Sequence, residues 1–189
     1  MVKSASRTAM ALAVSGLLIS LGGQTAAAEP KPAPPPVKAC NVRLGPVHDL
    51  RADPETMGDL YGKPIQGKEL PAWLSYSFEV LGHDPHINLV GADAKEVDVD
   101  LSVDILKAYL MATAMAKSAN VVVRVHFTGG AVPAEDHVYR GIDSGVNWVG
   151  SQAESKGAMS RALTELVTQV HTDLTRRCAA ATSPAAPAG

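Results

Sequence analysis

The stretch Val97-Asp98-Val99-Asp100-Leu101-Ser102-Val103-Asp104-Ile105 is apolar at every odd position and acidic or hydroxylic at every even one. A period of two is the signature of a strand with one face buried and the other in water. Val121, Val123, Val125 and Phe127 alternate in the same way, with Val122, Arg124 and His126 between them, and read as a second strand. The small and polar residues 116–120 read as the turn joining the two into a long antiparallel hairpin, with residues 110–115 open to a helical reading. A third strand, residues 137–142, follows the Gly129-Gly130 turn.

The flanks change period. Upstream, Leu70, Trp73, Leu74, Phe78 and Leu81 follow helical spacing, with Pro71 suited to a first turn and Gly82 to an end. Downstream, Ser151-Gln152-Ala153-Glu154 has the form of a capping box, and Met159, Leu163, Leu166, Val167, Val170 and Leu174 make one apolar stripe, with Arg161, Glu165, Arg176 and Arg177 off it. Val42 and Leu44 open a short strand that runs through Val47 to Leu50 and into a polar loop over residues 51–68, long for its position. The order β-α-β-β-β-α predicts a two-layer α+β domain: a mixed or antiparallel sheet of about four strands with two amphipathic helices on one face.

The ends read differently again. Lys3 and Arg7 precede an apolar run over residues 10–21, and Thr25-Ala26-Ala27-Ala28 offers small residues for cleavage, so residues 1–28 read as a secretory signal peptide. The run is too short for a stable bilayer span, so a mature chain with no integral span, working outside the cytoplasm, is expected. Pro30, Pro32, Pro34, Pro35 and Pro36 make residues 29–39 an extended linker, residues 40–178 the single domain, and the Ala- and Pro-rich residues 179–189 a disordered tail. Removal of the signal leaves 15 of the 17 basic residues against all 19 acidic ones, a net charge near −4. With no basic run, nucleic acid and anionic lipid surfaces are set aside as partners.

The two cysteines, Cys40 and Cys178, sit at the two ends of the foldable region. In an oxidising compartment a disulfide between them is the leading reading. The alternatives are free or intermolecular thiols, and lipid attachment at Cys40, against which the Pro-rich spacer after the signal argues.

Candidate chemistry is sparse. His83, Asp84 and His86 are the densest metal-capable cluster and suit zinc, but their spacing is no known ligand frame, and Gly82 and Pro85 mark a solvated turn. His48, Asp49, Arg51 and Asp53 gather at the end of the first strand, as a salt-bridged terminus or as ligand groups. Ser144 lies between glycines without the spacing of a nucleophile elbow. Asp98, Asp100 and Asp104 share a flat strand face, which cannot wrap a calcium ion. Tyr139 and Trp148 are contact aromatics or packing groups. No catalytic set and no cofactor are called for, and the oligomeric state is open.

The early strand followed by Asp49-Leu50-Arg51 and a Gly58-bearing loop, the 70–81 helix, the paired strands, and Val138-Tyr139-Arg140-Gly141 leading through Trp148 to the capped helix resemble the YajG-like envelope lipoproteins and the auxiliary lipoproteins of bacterial ABC-type transport systems. The resemblance covers about residues 40–177 and lacks a lipobox. It implies a non-enzymatic envelope protein that binds an envelope protein or transport component, in transport or outer-membrane maintenance. Asp59, Tyr61 and Lys63 of the polar loop, with Trp148, are the candidate partner contacts. The alternative is a periplasmic small-ligand or metal-binding protein using the 83–86 turn.

Overall fold

The computed structural model describes residues 38–129, 133–146 and 151–182. The signal segment, most of the linker, Gly130, Trp148 and residues 183–189 lie outside them.

The sheet is organised by one long strand. β5 (Val99–Ala112) pairs antiparallel along one side with β6 (Ala116–Thr128), and β6 pairs with β7 (Glu135–Val146). Along its other side β5 has two successive parallel neighbours, β1 (Cys40–Asp49) and β2 (Thr56–Leu60). β4 (Ile87–Val90) lies parallel outside β1, and β3 (Lys63–Gln66) antiparallel outside β2. The sheet is therefore mixed, with seven strands where about four were expected.

Each difference has a local cause. Residues 51–68 hold the β2–β3 hairpin, whose strands are short and largely exposed and give no clean alternation. Tyr61 and Gly62 turn it with φ of 53° and 79°, the left-handed pair that a two-residue hairpin loop needs. A bulge between Ile105 and Lys107 shifts the phase of β5, so Ala108, Leu110 and Ala112 take over the inner face. Residues 110–112 are thus strand, not helix, and the turn falls at residues 113–115; residues 116–120 belong to β6. Residues 179–182, assigned to a disordered tail, continue the last helix.

The break between β1 and β2 is closed by Arg51, a buried guanidinium. It donates to both carboxylate oxygens of Asp49 at 2.8 and 2.7 Å and to the carbonyls of Thr56, Pro54 and Gly67 at 2.9 to 3.1 Å. This pair holds the Asp49 carboxyl below the usual carboxylate range. The salt-bridged strand end is what the structure shows, and Asp53 serves it by accepting from the N–H groups of Glu55 and Thr56.

Both helices cover the inner face. α1 (Leu70–Phe78) buries Leu70, Leu74 and Phe78 and tightens into a 3-10 turn, Glu79–His83, that contains Gly82. α2 (Gln152–Thr182) starts with Ser151 Oγ accepting from the Glu154 N–H at 3.2 Å, and buries the whole apolar stripe against β5, β6 and β7. The Glu154 carboxylate pairs with the buried Lys117 of β6. Cys40 and Cys178 are disulfide-bonded, Cα atoms 5.6 Å apart, so the first strand is tied to the last helix.

β7 is an edge strand, which elsewhere would be open to pairing with another chain. Here α2 covers it: Glu165 accepts from the Ile142 N–H at 2.7 Å and Gln169 donates to the Arg140 carbonyl at 2.9 Å.

Candidate functional site

α1 and its 3-10 extension run beside α2 in the same direction, and between them lies a groove of about 1050 Å³. Trp73, Tyr76, Val80 and Leu81 wall one side, Leu163 and Val167 the other. Along α2 the lining extends from Lys156 to His171, about 22 Å at the helical rise. Tyr76 and Val80 are 76% and 50% exposed, too much for large side chains that only serve the core.

The helix walls hold many hydroxyls, and most of them are already used; of those lining the groove, Tyr76 and Ser160 keep hydroxyls with no hydrogen-bond partner among the described residues. Ser75 and Ser77 donate to the carbonyls of Pro71 and Trp73, and Thr164, Thr168 and Thr172 to those of Ser160, Thr164 and Thr168. Such bonding back into a helix spends the hydroxyl proton and leaves the groove poor in directed donors. At one end the Lys156 ammonium lies 5.7 Å from the centre of the Trp73 ring. At the other, His171 Nε2 and Asp84 Oδ2 are 2.8 Å apart. The backbone N–H of His86 also bonds Asp84 Oδ1 at 2.8 Å and is the main reason the Asp84 carboxyl lies below its usual range.

This end of the groove is where the structure places the proposed metal turn. His83 and Asp84 line the groove, while Asp84 is occupied by His171 and by its own turn. Among the described residues no three or more histidine, cysteine or carboxylate side chains are placed so that they could hold a metal ion together. His171 is one of the groove residues to which the sequence does not point, since nothing in a helical stripe indicates a partner 87 positions away.

Asp59, Tyr61 and Lys63 stand on the β2–β3 hairpin, with Tyr61 exposed in its turn, and none of them lines the groove. Tyr139 is packing: its ring lies edge-on to Phe127 and its hydroxyl donates to Asp173 at 2.7 Å, so burial first and Asp173 second push its pKa up.

The outer face of the sheet carries the acidic row, and every carboxylate on it has a partner. Arg43 clasps Asp100, and the Asn41 N–H bonds Asp98. Asp104 sits between His48 Nδ1 at 3.2 Å and His126 Nε2 at 2.8 Å, and the other His126 nitrogen meets Asp136 at 2.7 Å. With both imidazole nitrogens facing carboxylates, His126 has none left to activate a nucleophile.

That His126 arrangement makes folding depend on pH. Asp104 and then Asp136 raise the His126 pKa, and His126 in turn lowers that of Asp104. The imidazolium stabilises the fold fully below the ordinary histidine value of about 6.5, and this is lost as pH rises through the raised value. The Asp104 share is present above the ordinary aspartate value of about 3.9 and is lost as pH falls through the lowered one. The row is therefore at full strength between about pH 4 and 6.5. His126→Gln is expected to flatten the decline of the urea midpoint between pH 6 and 9; an identical slope in both proteins would contradict this assignment.

No helix among the described residues is long and apolar enough to cross a membrane. No family model and no curated protein matches the chain. Among solved structures, the chain is similar to a hypothetical protein from Chlamydia trachomatis, at 12% identity over 76% of this chain and 98% of that one, with a TM-score of 0.45. A DUF330 protein from Xanthomonas campestris matches at 16% identity over 78% and 93%, TM-score 0.46. A minor lipoprotein from Acinetobacter baumannii matches at 10% identity over 72% and 92%, TM-score 0.41. None of the three is described as YajG-like.

Proposed function

We propose that this chain is an exported, non-enzymatic binding protein of the bacterial envelope, and that its groove between α1 and α2 receives an amphipathic helix of a partner protein. The observation that carries the reading is the groove itself, long and mostly apolar, with the Ser77, Thr164 and Thr168 hydroxyls of its walls bonded back into their own helices. A polar small ligand needs several directed hydrogen bonds, whereas a helix laid in a groove is held by apolar anchors every three or four residues. Glu79 and Asp84 against Lys156 supply a rim of both signs, as protein interfaces have. A groove of about 22 Å matches about 15 helical residues.

On this reading residues 1–28 direct export, 29–39 space the domain from its point of release, and the site is periplasmic, in transport or outer-membrane maintenance. A YajG-like or transport-auxiliary role is the finer form of the proposal, supported by the motif resemblance. Asp59, Tyr61 and Lys63, which stand outside the groove, are proposed as additional contacts, as is Trp148.

Val80→Glu and Thr168→Glu place a charge on each exposed wall without touching the core. Each is expected to lower recovery of the partner from envelope extracts about tenfold, as the loss of one interface anchor does, with the unfolding midpoint unchanged. Recovery at the original level from both variants, or a groove filled instead by extractable lipid, would overturn the helix as occupant.

A further inference from the structure

Lys107 on β5, Arg124 on β6 and Arg140 on β7 are far apart in sequence and adjacent on the sheet. Lys107 and Arg140 both face Val122 in register, and Arg124 is the next outward residue along β6. Strand spacing puts Lys107 and Arg140 about 10 Å apart across β6. None of the three has a carboxylate partner among the described residues. The carboxylates that share their face, or that reach β7 from α2, are committed elsewhere: Asp100 to Arg43, Asp104 and Asp136 to His126, Glu165 to the Ile142 N–H. Asp143, for its part, holds Arg161. The face thus has an acidic end whose carboxylates are all hydrogen-bonded and a cationic end without ion pairs of its own, the two meeting where Arg124 stands opposite Asp104 in register.

Exposed apolar side chains surround those cations. Val138, Ile142 and Val146 alternate with Arg140 and Ser144 on β7 and are 61%, 41% and 53% exposed, and Met111 stands out from β5. Tyr109 lies beneath the Lys107 ammonium, 5.8 Å from its ring centre. In the row between Tyr109 and Ile142, Asn120 is only 3% exposed, yet its Oδ1 has no hydrogen-bond partner among the described residues.

We infer that this half of the outer sheet face docks on a bilayer surface carrying anionic lipid. A pleated sheet face offers no deep socket; its apolar side chains can enter the boundary between headgroups and acyl chains while the three cations meet phosphates. Charge argues against a second copy, because face-to-face pairing would set six cations against one another. It also overrides the expectation from the chain, which has a net charge near −4 and no basic run, because folding gathers three cations that the sequence disperses. The inference rests on the outer face alone and stands apart from the groove.

The test is co-sedimentation of the purified protein with vesicles of phosphatidylglycerol and phosphatidylethanolamine, and with vesicles of phosphatidylcholine alone. Binding to the first set is expected, weakening as salt is raised from 50 to 300 mM, with little binding to the second. Each basic residue near an anionic surface contributes about fivefold, so the triple variant Lys107→Gln, Arg124→Gln, Arg140→Gln is expected to lose about a hundredfold in partitioning. Circular dichroism and the unfolding midpoint of that variant report whether its fold is kept, and Arg140→Gln alone serves if it is not. Absence of binding to anionic vesicles, binding equal on both sets, or unchanged binding by the folded variant would overturn the inference; an acidic protein crosslinked to Lys107 in the absence of vesicle binding would replace it.

Discussion

Gly141→Val is expected to cost about 3 kcal/mol or more of folding stability, at the upper end of what overpacking does. A Cβ built on Gly141 would stand 1.8 Å from the carbonyl oxygen of Ala162 and 3.0 Å from the Cβ of Leu166. The first of these atoms belongs to the backbone of α2 and has no rotamer to escape into. Relief requires lifting the helix from β7, which also breaks the bonds from Glu165 and Gln169 that cover the strand edge. Urea unfolding followed by circular dichroism measures the loss, and a change below about 1 kcal/mol would show that α2 does not sit this close. Because the exposed edge would be free to pair, the variant is also expected to self-associate at micromolar concentration.

Replacing Cys40 and Cys178 together by alanine is expected to cost about 2–5 kcal/mol, the range seen for native disulfides of small secreted domains. The bond closes a separation of 138 residues, and the chain-entropy account sets about 5 kcal/mol as the upper limit for so long a loop. It also holds the start of β1 beside His86, whose carbonyl accepts from the Cys40 N–H at 2.8 Å, and pins the end of α2 to the same corner. Guanidinium unfolding is expected to show a lower midpoint and a steeper slope, since the uncrosslinked unfolded chain exposes more surface. An unchanged midpoint would remove the cross-link from the account of stability.

Much of the fold is legible in the chain, and the reasons are local. The stripe of α2 has helical period and carries its own N-cap, and the alternation in β5 and β6 marks each inner face. The two cysteines, placed at the ends of the domain, pair as that placement implies. What is illegible depends on contacts that no window of sequence contains. The β2–β3 hairpin turns on Tyr61-Gly62, not on one of the usual asparagine-glycine or aspartate-glycine pairs, and its strands are too exposed to alternate. The bulge after Ile105 disguises the second half of β5, because the apolar residues change parity there.

The candidate site divides along the same line. His83 and Asp84 stand out in sequence and do reach the groove, but as its polar end, with His171 arriving from α2. Tyr76 and Val80 gave no signal, because on a helix of that length they read as ordinary solvent-side residues. Only the parallel course of α1 and α2 turns them into the wall of a groove. Likewise Ser77, Thr164 and Thr168 look like ligand donors until their protons are followed into the helix carbonyls.

The most direct test of the groove as the binding site is photo-crosslinking in cells, with a photoreactive residue placed in turn at Tyr76, Val80, Thr164 and, as an exposed position away from the groove, Lys95. The account predicts that the three groove positions capture the same envelope protein, with attachment points on it spaced three or four residues apart, and that Lys95 does not. Capture no greater than at Lys95, or adducts to lipid alone, would contradict it.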